Sequence, residues 1–245
     1  MTTIIITRTD QYSIIISDTR ENNEEESTYL DGVFKLRYIP NMGFITGAGW
    51  AVFLEEVKER IIKKRRIEHI DEVLEIFKST ADEGKRDVLG TEERIDNSYI
   101  AITWLGEDNN KIEYQSGLLS ESYYEKNGDN SMLVDKGGIR IIYPVDLVEK
   151  DGLIHEIVEQ TNGKITTDLS INKALFETLK LFVQIAKNSD LVSLDCQIGI
   201  QYHSKLTNEI HTEGLYGKGE QLLKLAQQNK ILRKFKAAGT LSEFV

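Results

Sequence analysis

The sequence predicts an α+β fold in which two antiparallel sheets carry helices on their outer faces. Three observations lead there. Short β-branched runs come in pairs across turn residues, and apolar residues at helical spacing come in blocks. The resulting order is strands, two helices, strands, one or two helices, strands. That grouping differs from the regular strand–helix alternation of a parallel sheet. With 245 residues, 40% hydrophobic residues and only two prolines, the chain can bury a substantial core. It shows no internal repeat and no glycine–serine linker, so one domain over 1–245 is expected, ending in a helix and tail within 216–245.

Residues 4–6 and 13–17 form the first hairpin, around Thr9-Asp10-Gln11. The polar stretch 20–27, with Glu24, Glu25 and Glu26 in a row, reads as an exposed loop. A second hairpin joins 33–39 to 43–46 around Pro40-Asn41, and Gly47-Ala48-Gly49 turns the chain into a helix. Phe53, Leu54, Val57 and Ile61 mark one face of that helix. Ile70, Val73, Leu74 and Phe77 mark a second, ending near Gly84. Strands 99–105 and 111–117 flank Glu107-Asp108-Asn109-Asn110, another hairpin signal. Residues 121–136 read as a polar excursion, and 139–143 as a strand closed by Pro144. A short helix is expected near 154–158, and a stronger one on Leu175, Leu179, Phe182, Val183 and Ala186. The last hairpin joins 192–202 to a shorter run near Glu209, and a helix over 221–230 precedes the tail.

Lysine and arginine total 30 against 40 acidic residues, a formal charge of −10, which disfavours nonspecific nucleic-acid binding. The one basic run, Lys63-Lys64-Arg65-Arg66, reads as a solvated helix end. No run approaches the length of a membrane span, and the opening residues lack the pattern of a signal peptide. Cys196 is the only cysteine and lies in an apolar run, so a buried thiol and a cytoplasmic setting are expected. There is no phosphate-binding glycine loop, no Gly-x-Ser-x-Gly and no His-Glu-x-x-His. The four histidines, 69, 155, 203 and 211, form no metal-ligand pattern, although His203 and His211 could meet across a hairpin. Neither a cofactor nor a metal is expected.

The chemistry lies at the chain start. Thr2-Thr3-Ile4-Ile5-Ile6 leads into a strand, Ser17-Asp18-Thr19-Arg20 closes the next, and Ile45-Thr46-Gly47 precedes a helix. This combination resembles the proteasome β-subunit and HslV family of N-terminal nucleophile hydrolases. The similarity covers residues 2–62 and, in element order, extends to about 212. It implies a four-layer αββα sandwich. It also implies that removing Met1 exposes Thr2, whose hydroxyl attacks a peptide or other amide carbonyl while its own α-amine acts as base. By the same resemblance Asp18 orients the site, and the Gly47 amide stabilises the oxyanion.

The chain also departs from the family pattern. The family lysine precedes a hydrophobic pair in the third strand, and here the pair Val33-Phe34 places Gly32 at that position. Lys35 and Arg37 are the nearest cations, but strand alternation predicts that neither reaches the Thr2 hydroxyl. The family serine before the middle helix has no match in Ile142-Tyr143-Pro144-Val145-Asp146. The Asp-x-x-Ser turn after that helix reads as the degraded Asn188-Ser189-Asp190. These departures keep open an alternative, a catalytically degenerate relative with an assembly, scaffold or ligand-binding role. The expected partners are a peptide or amide substrate and further copies of the chain. A ring follows from the resemblance, with Val52, Leu54, Val57, Ile61 and Ile62 of the first helix serving both core and neighbour, and Lys63 to Arg66 pairing with Glu24 to Glu26 of another copy.

Overall fold

The computed structural model describes residues 2–23, 28–64, 67, 70–108, 111–120, 133–148, 150, 152–161, 163–204 and 209–238. Several expectations lie outside them: the fate of Met1, the run Glu24 to Glu26, Arg65, Arg66, His69, the turn Asn109-Asn110, most of the 121–136 excursion, and the tail after residue 238.

Two antiparallel sheets form the centre. The first has five strands in the order β11(Glu209–Lys218), β10(Asp195–Ser204), β2(Tyr12–Asp18), β1(Ile4–Arg8), β9(Gly138–Ile142). The second has four: β5(Arg37–Ile39), β6(Gly43–Ala48), β7(Tyr99–Asp108) and β8(Lys111–Leu119). Every paired neighbour runs antiparallel.

Period-two alternation explains the layering. Ile4 and Ile6 of β1 and Ile15 of β2 point between the sheets, where they meet Leu36, Phe44, Ala48 and Ala101. Ile5, Ile14 and Ile16 point the other way, onto α6(Ile171–Asn188), α7(Gly219–Gln227) and α8(Ile231–Ala238). On the second sheet Ile45, Ile100 and Ile102 face outward onto α1(Ala51–Lys63) and α2(Ile70–Asp87). The result is the αββα sandwich. Because both faces of β1 and β2 are covered, both strands are buried throughout and read as nearly continuous apolar runs.

The departures from expectation have local causes. Residues 20–27 are not all loop: β3(Glu21–Asn23) pairs with β4(Thr28–Leu30) in a small ribbon. The second helix runs past Gly84 to Asp87, and α3(Glu92–Asp96) follows it. Between β9 and α6 the chain makes two short helices, α4(Val145–Val148) and α5(Leu153–Thr161), separated at Gly152, where φ is +83°. The single C-terminal helix expected over 221–230 is two helices. Asn229 adopts φ of +54° and the Lys230 amide closes on the Leu225 carbonyl, which ends α7 before α8 begins. Strand 33–39 is ladder-paired only from Arg37 onward, and this shortening decides the site.

Cys196 is fully buried on β10, and burial drives its thiol pKa well above the ordinary range. The α1 face is narrower than expected. Leu54, Val57 and Ile61 are consumed by the core, Ile62 is half-buried, and Val52 stands exposed. Lys63 pairs with Glu59 at 2.8 Å and Lys64 with Glu72, both within the chain. No helix among the described residues is long and apolar enough to cross a membrane.

Candidate active site

The β1–β2 hairpin brings the chain start to Asp18. Its turn is fixed by Thr9, whose amide donates to the Tyr12 carbonyl at 3.0 Å and whose hydroxyl accepts the Gln11 and Tyr12 amides at 3.2 Å each. The register that follows pairs Ile4 with Ser17, so Thr3 stands opposite Asp18 and Thr2 lies one residue beyond. The Asp18 amide donates to the Thr3 carbonyl at 3.3 Å, and the Thr3 amide donates to Asp18 Oδ1 at 3.0 Å. The other carboxylate oxygen, Oδ2, accepts the Arg20 amide at 2.8 Å. Asp18 is wholly buried, so the carboxylate is fixed at the end of β2 by the backbone around it.

Lys35 completes the cluster, contrary to the parity argument. Its Nζ donates to Thr2 Oγ1 at 2.8 Å, lies 3.3 Å from Asp18 Oδ2 and donates to the Arg20 carbonyl. The parity argument fails because residues 33–36 are not in the β5–β6 ladder. The amides of Lys35 and Leu36, adjacent in sequence, both donate to Gln197 Oε1, at 2.7 and 3.1 Å. Successive amides of a regular strand point in opposite directions, so this segment is kinked and side-chain alternation does not extend through it. Lys35 therefore occupies the place that Gly32 was expected to leave without a cation. Arg37 is directed elsewhere, toward Glu55 at 3.5 Å.

Burial raises the Asp18 pKa, with Lys35 and the Arg20 and Thr3 amides opposing that rise. Burial likewise lowers the Lys35 pKa, with Asp18 opposing. The pair is thus an ammonium held by one carboxylate in a nearly dry site, readier than a surface lysine to give up a proton.

Arg20 braces the surrounding loops. It makes a two-pronged ion pair with Asp31 at 2.8 and 2.9 Å, donates to the Asp190 carbonyl at 2.6 Å, and lies 3.9 Å over the Tyr29 ring. Asp146 accepts the Ser189 hydroxyl at 2.8 Å and the Asp190 amide at 3.0 Å, which fixes the turn after α6. That turn carries Asp190-Leu191-Val192-Ser193, so the Asp-x-x-Ser spacing is intact a few residues beyond the place where it reads as degraded. The Ser193 hydroxyl accepts the Asp195 amide at 3.1 Å.

Gly47 lies on β6 at the same end of the sandwich. The neighbouring Thr46 hydroxyl is 3.3 Å from the Ser17 hydroxyl, next to Asp18. A Cβ at Gly47 would come within 2.9 Å of Leu54 Cδ2 on α1 and 3.0 Å of the Tyr99 carbonyl oxygen on β7, so packing from both sides favours glycine there. His203 and His211 do not meet. His211 pairs with Tyr202, stacks on its ring at 5.3 Å, and lies on the opposite face of the hairpin from His203. Among the described residues, no group of three or more His, Cys, Asp or Glu side chains is placed to hold a metal ion.

Two residues of the cluster's surroundings were not legible from the sequence, Gln197 and Lys58. Gln197 sits on β10 with its side chain buried between the sheets. Lys58 is buried on α1, where Nζ donates to the Lys35 carbonyl at 3.1 Å and pairs with Glu55 at 2.6 Å. Its signal was a lysine four residues after Leu54 and three before Ile61, inside the apolar stripe.

No protein-family model matches the sequence, and no curated protein matches it. Solved structures do match. Anbu (ancestral beta-subunit) from Yersinia bercovieri has a TM-score of 0.63, with 98% of this chain and 97% of that one covered at 10% sequence identity. At that identity the likeness establishes the fold, which is proteasome-like.

Proposed function

We propose that this chain is a proteasome-like N-terminal-nucleophile hydrolase of peptide or other amide bonds, with Thr2 as nucleophile once Met1 is removed. One observation carries the reading: Lys35 Nζ stands 2.8 Å from Thr2 Oγ1 with the buried Asp18 carboxylate behind it. The ammonium lowers the cost of ionising the hydroxyl, and Asp18 keeps the ammonium in place. The α-amine of Thr2, ordinarily titrating at about pH 8, takes the hydroxyl proton as Oγ1 bonds to the substrate carbonyl carbon. The oxyanion that forms falls to the Gly47 amide. Collapse breaks the C–N bond, the leaving amine departs with the proton held by the α-amine, and water hydrolyses the resulting ester.

Gly32 at the expected lysine position was the main support for a degenerate, fold-only role. With Lys35 in contact with Thr2, that support is gone. A homo-oligomer working in the cytoplasm accords with this reading. The exposed Val52 on α1 and the exposed Val88 and Leu89 at the end of α2 are apolar groups available to a neighbour. Light scattering that gave only the 27.9 kDa monomer at micromolar concentrations would defeat the oligomer.

The test of activity has two steps. Intact mass of the purified protein is expected to show loss of one methionine. A β-lactone or epoxyketone probe is then expected to add once, at Thr2, and not at all to Thr2→Ala. A folded chain lacking Met1 that forms no adduct and hydrolyses no peptide or amide library would overturn the proposal in favour of the assembly or ligand-binding role.

A further inference from the structure

The main chain at Lys35 and Leu36 is held by side chains, while Val33 just before it donates its amide to the Thr19 carbonyl at 2.9 Å. On one side Gln197 Oε1 accepts the Lys35 and Leu36 amides. On the other, Lys58 Nζ donates to the Lys35 carbonyl at 3.1 Å. Gln197 is completely buried, and Lys58 is only 3% exposed. Glu55 ties the arrangement together, accepting Lys58 at 2.6 Å and Arg37 of β5 at 3.5 Å. Gln197 of β10 and Lys58 of α1 thus meet on the main chain at Lys35 and Leu36, with Glu55 and Arg37 of β5 behind Lys58. A buried ammonium is costly, and a helix lysine placed on the core face needs a reason beyond helix propensity.

We propose that Lys58 and Gln197 are positioning residues for the site: together they hold the Lys35 main chain in the kinked path that delivers its ammonium to Thr2. The inference rests on the reading of Thr2 and Lys35 as reacting groups, but its test does not depend on turnover. In a regular strand Lys35 would project to the opposite side, as the parity argument required. Gln197 supplies the acceptor that replaces the ladder carbonyls, and Lys58 supplies the donor that fixes the next carbonyl. Neither touches Thr2.

The experiment follows the Lys35 side chain directly. Lysine Cε resonances are recorded by NMR through a pH titration, with Lys35 assigned by its absence in Lys35→Arg. The charged groups facing Lys35 are Asp18 on β2, Glu21 on β3, Asp31 before the kinked segment and Lys58 on α1, and all but Lys58 are kept in every variant. In Lys58→Met and Gln197→Leu the Lys35 signal is expected to shift toward those of exposed lysines, and in Gln197→Leu, which removes no charge, its midpoint is expected to rise toward the ordinary lysine value. The rate of probe addition at Thr2 is expected to fall tenfold or more, with the pH profile displaced. Lys58→Met exchanges a buried charge for a side chain of similar length and is expected to fold, so it decides the question even if Gln197→Leu does not. An unchanged Lys35 signal in folded Lys58→Met and Gln197→Leu overturns the inference. If the wild-type chain takes up no probe, the hydrolase reading fails, while the Lys35 signal still decides whether these residues position it.

Discussion

The Lys35 ammonium donates to the Thr2 hydroxyl at 2.8 Å, although Lys35 stands three residues after the position at which a lysine was expected. Counting along an ideal strand turns an odd displacement into the wrong face. The kink at Lys35 and Leu36 cancels that parity, because both amides are spent on Gln197 Oε1. A substitution that keeps the fold but shortens or removes this cation therefore isolates its chemical role.

Lys35→Met is expected to slow probe addition at Thr2 by about a hundredfold or more, the loss typical of removing one preorganised electrostatic contact. Lys35→Arg is expected to be nearly as impaired, because a planar guanidinium cannot place its charge where the compact ammonium sits between Thr2, Asp18 and the Arg20 carbonyl. Rates of adduct formation followed by intact mass would check both. Undiminished addition in Lys35→Met would exclude the lysine from the chemistry.

The Asp18–Lys35 pair should show strong coupling in stability. Asp18→Asn leaves a buried ammonium without its carboxylate and is expected to cost about 3–5 kcal/mol. Lys35→Met is expected to cost less, since Asp18 retains the Thr3 and Arg20 amides. The double variant is expected to be more stable than Asp18→Asn alone. Urea unfolding of the four chains measures this, and simple additivity would show that the two groups do not interact.

What the sequence made legible follows from local pattern. The alternating isoleucines of β1 and β2 and the Leu54, Val57, Ile61 stripe of α1 specify their buried faces within a few residues, so the layers were readable. Asp18 was reached through the family resemblance, and the tight hairpin ties its place to that of Thr2 through register. Lys35 was not legible, because its reach depends on Gln197, 162 residues away, which no local periodicity encodes. The break at Asn229 and the small β3–β4 ribbon were missed for a related reason. Each depends on backbone conformation in polar sequence that carries little pattern.

The contact between the sheets makes a separate prediction at Gly199. A Cβ there would lie 2.5 Å from Phe44 Cδ2 and Cγ, and Phe44 is fully buried between the sheets. Gly199→Ala is therefore expected to destabilise by about 1–3 kcal/mol through overpacking. Gly199→Ala combined with Phe44→Leu is expected to recover part of that loss, because the ring is the obstruction. Thermal unfolding of the single and double variants would check it, and an unaltered melting temperature in Gly199→Ala would contradict the close approach.

Lys58 gives the pH dependence. Burial lowers its pKa, so between that lowered value and the ordinary lysine value of about 10.4 the unfolded chain holds more protons at this position than the folded one. Stability contributed at this site therefore rises with pH through that window. Below the window the folded state bears the full cost of the buried ammonium, and near its upper end that cost is gone. Lys58→Met carries no such proton. Its stability relative to the wild type is expected to be most favourable near neutral pH and to decline as pH approaches about 10. Loss of the Lys58 charge also moves the Lys35 midpoint toward its ordinary value, which takes a second rise with pH from the variant and acts in the same direction. Urea unfolding at matched pH values would measure the difference, and a Lys58→Met chain that gained on the wild type with rising pH would show that the folded state raises, not lowers, the Lys58 pKa.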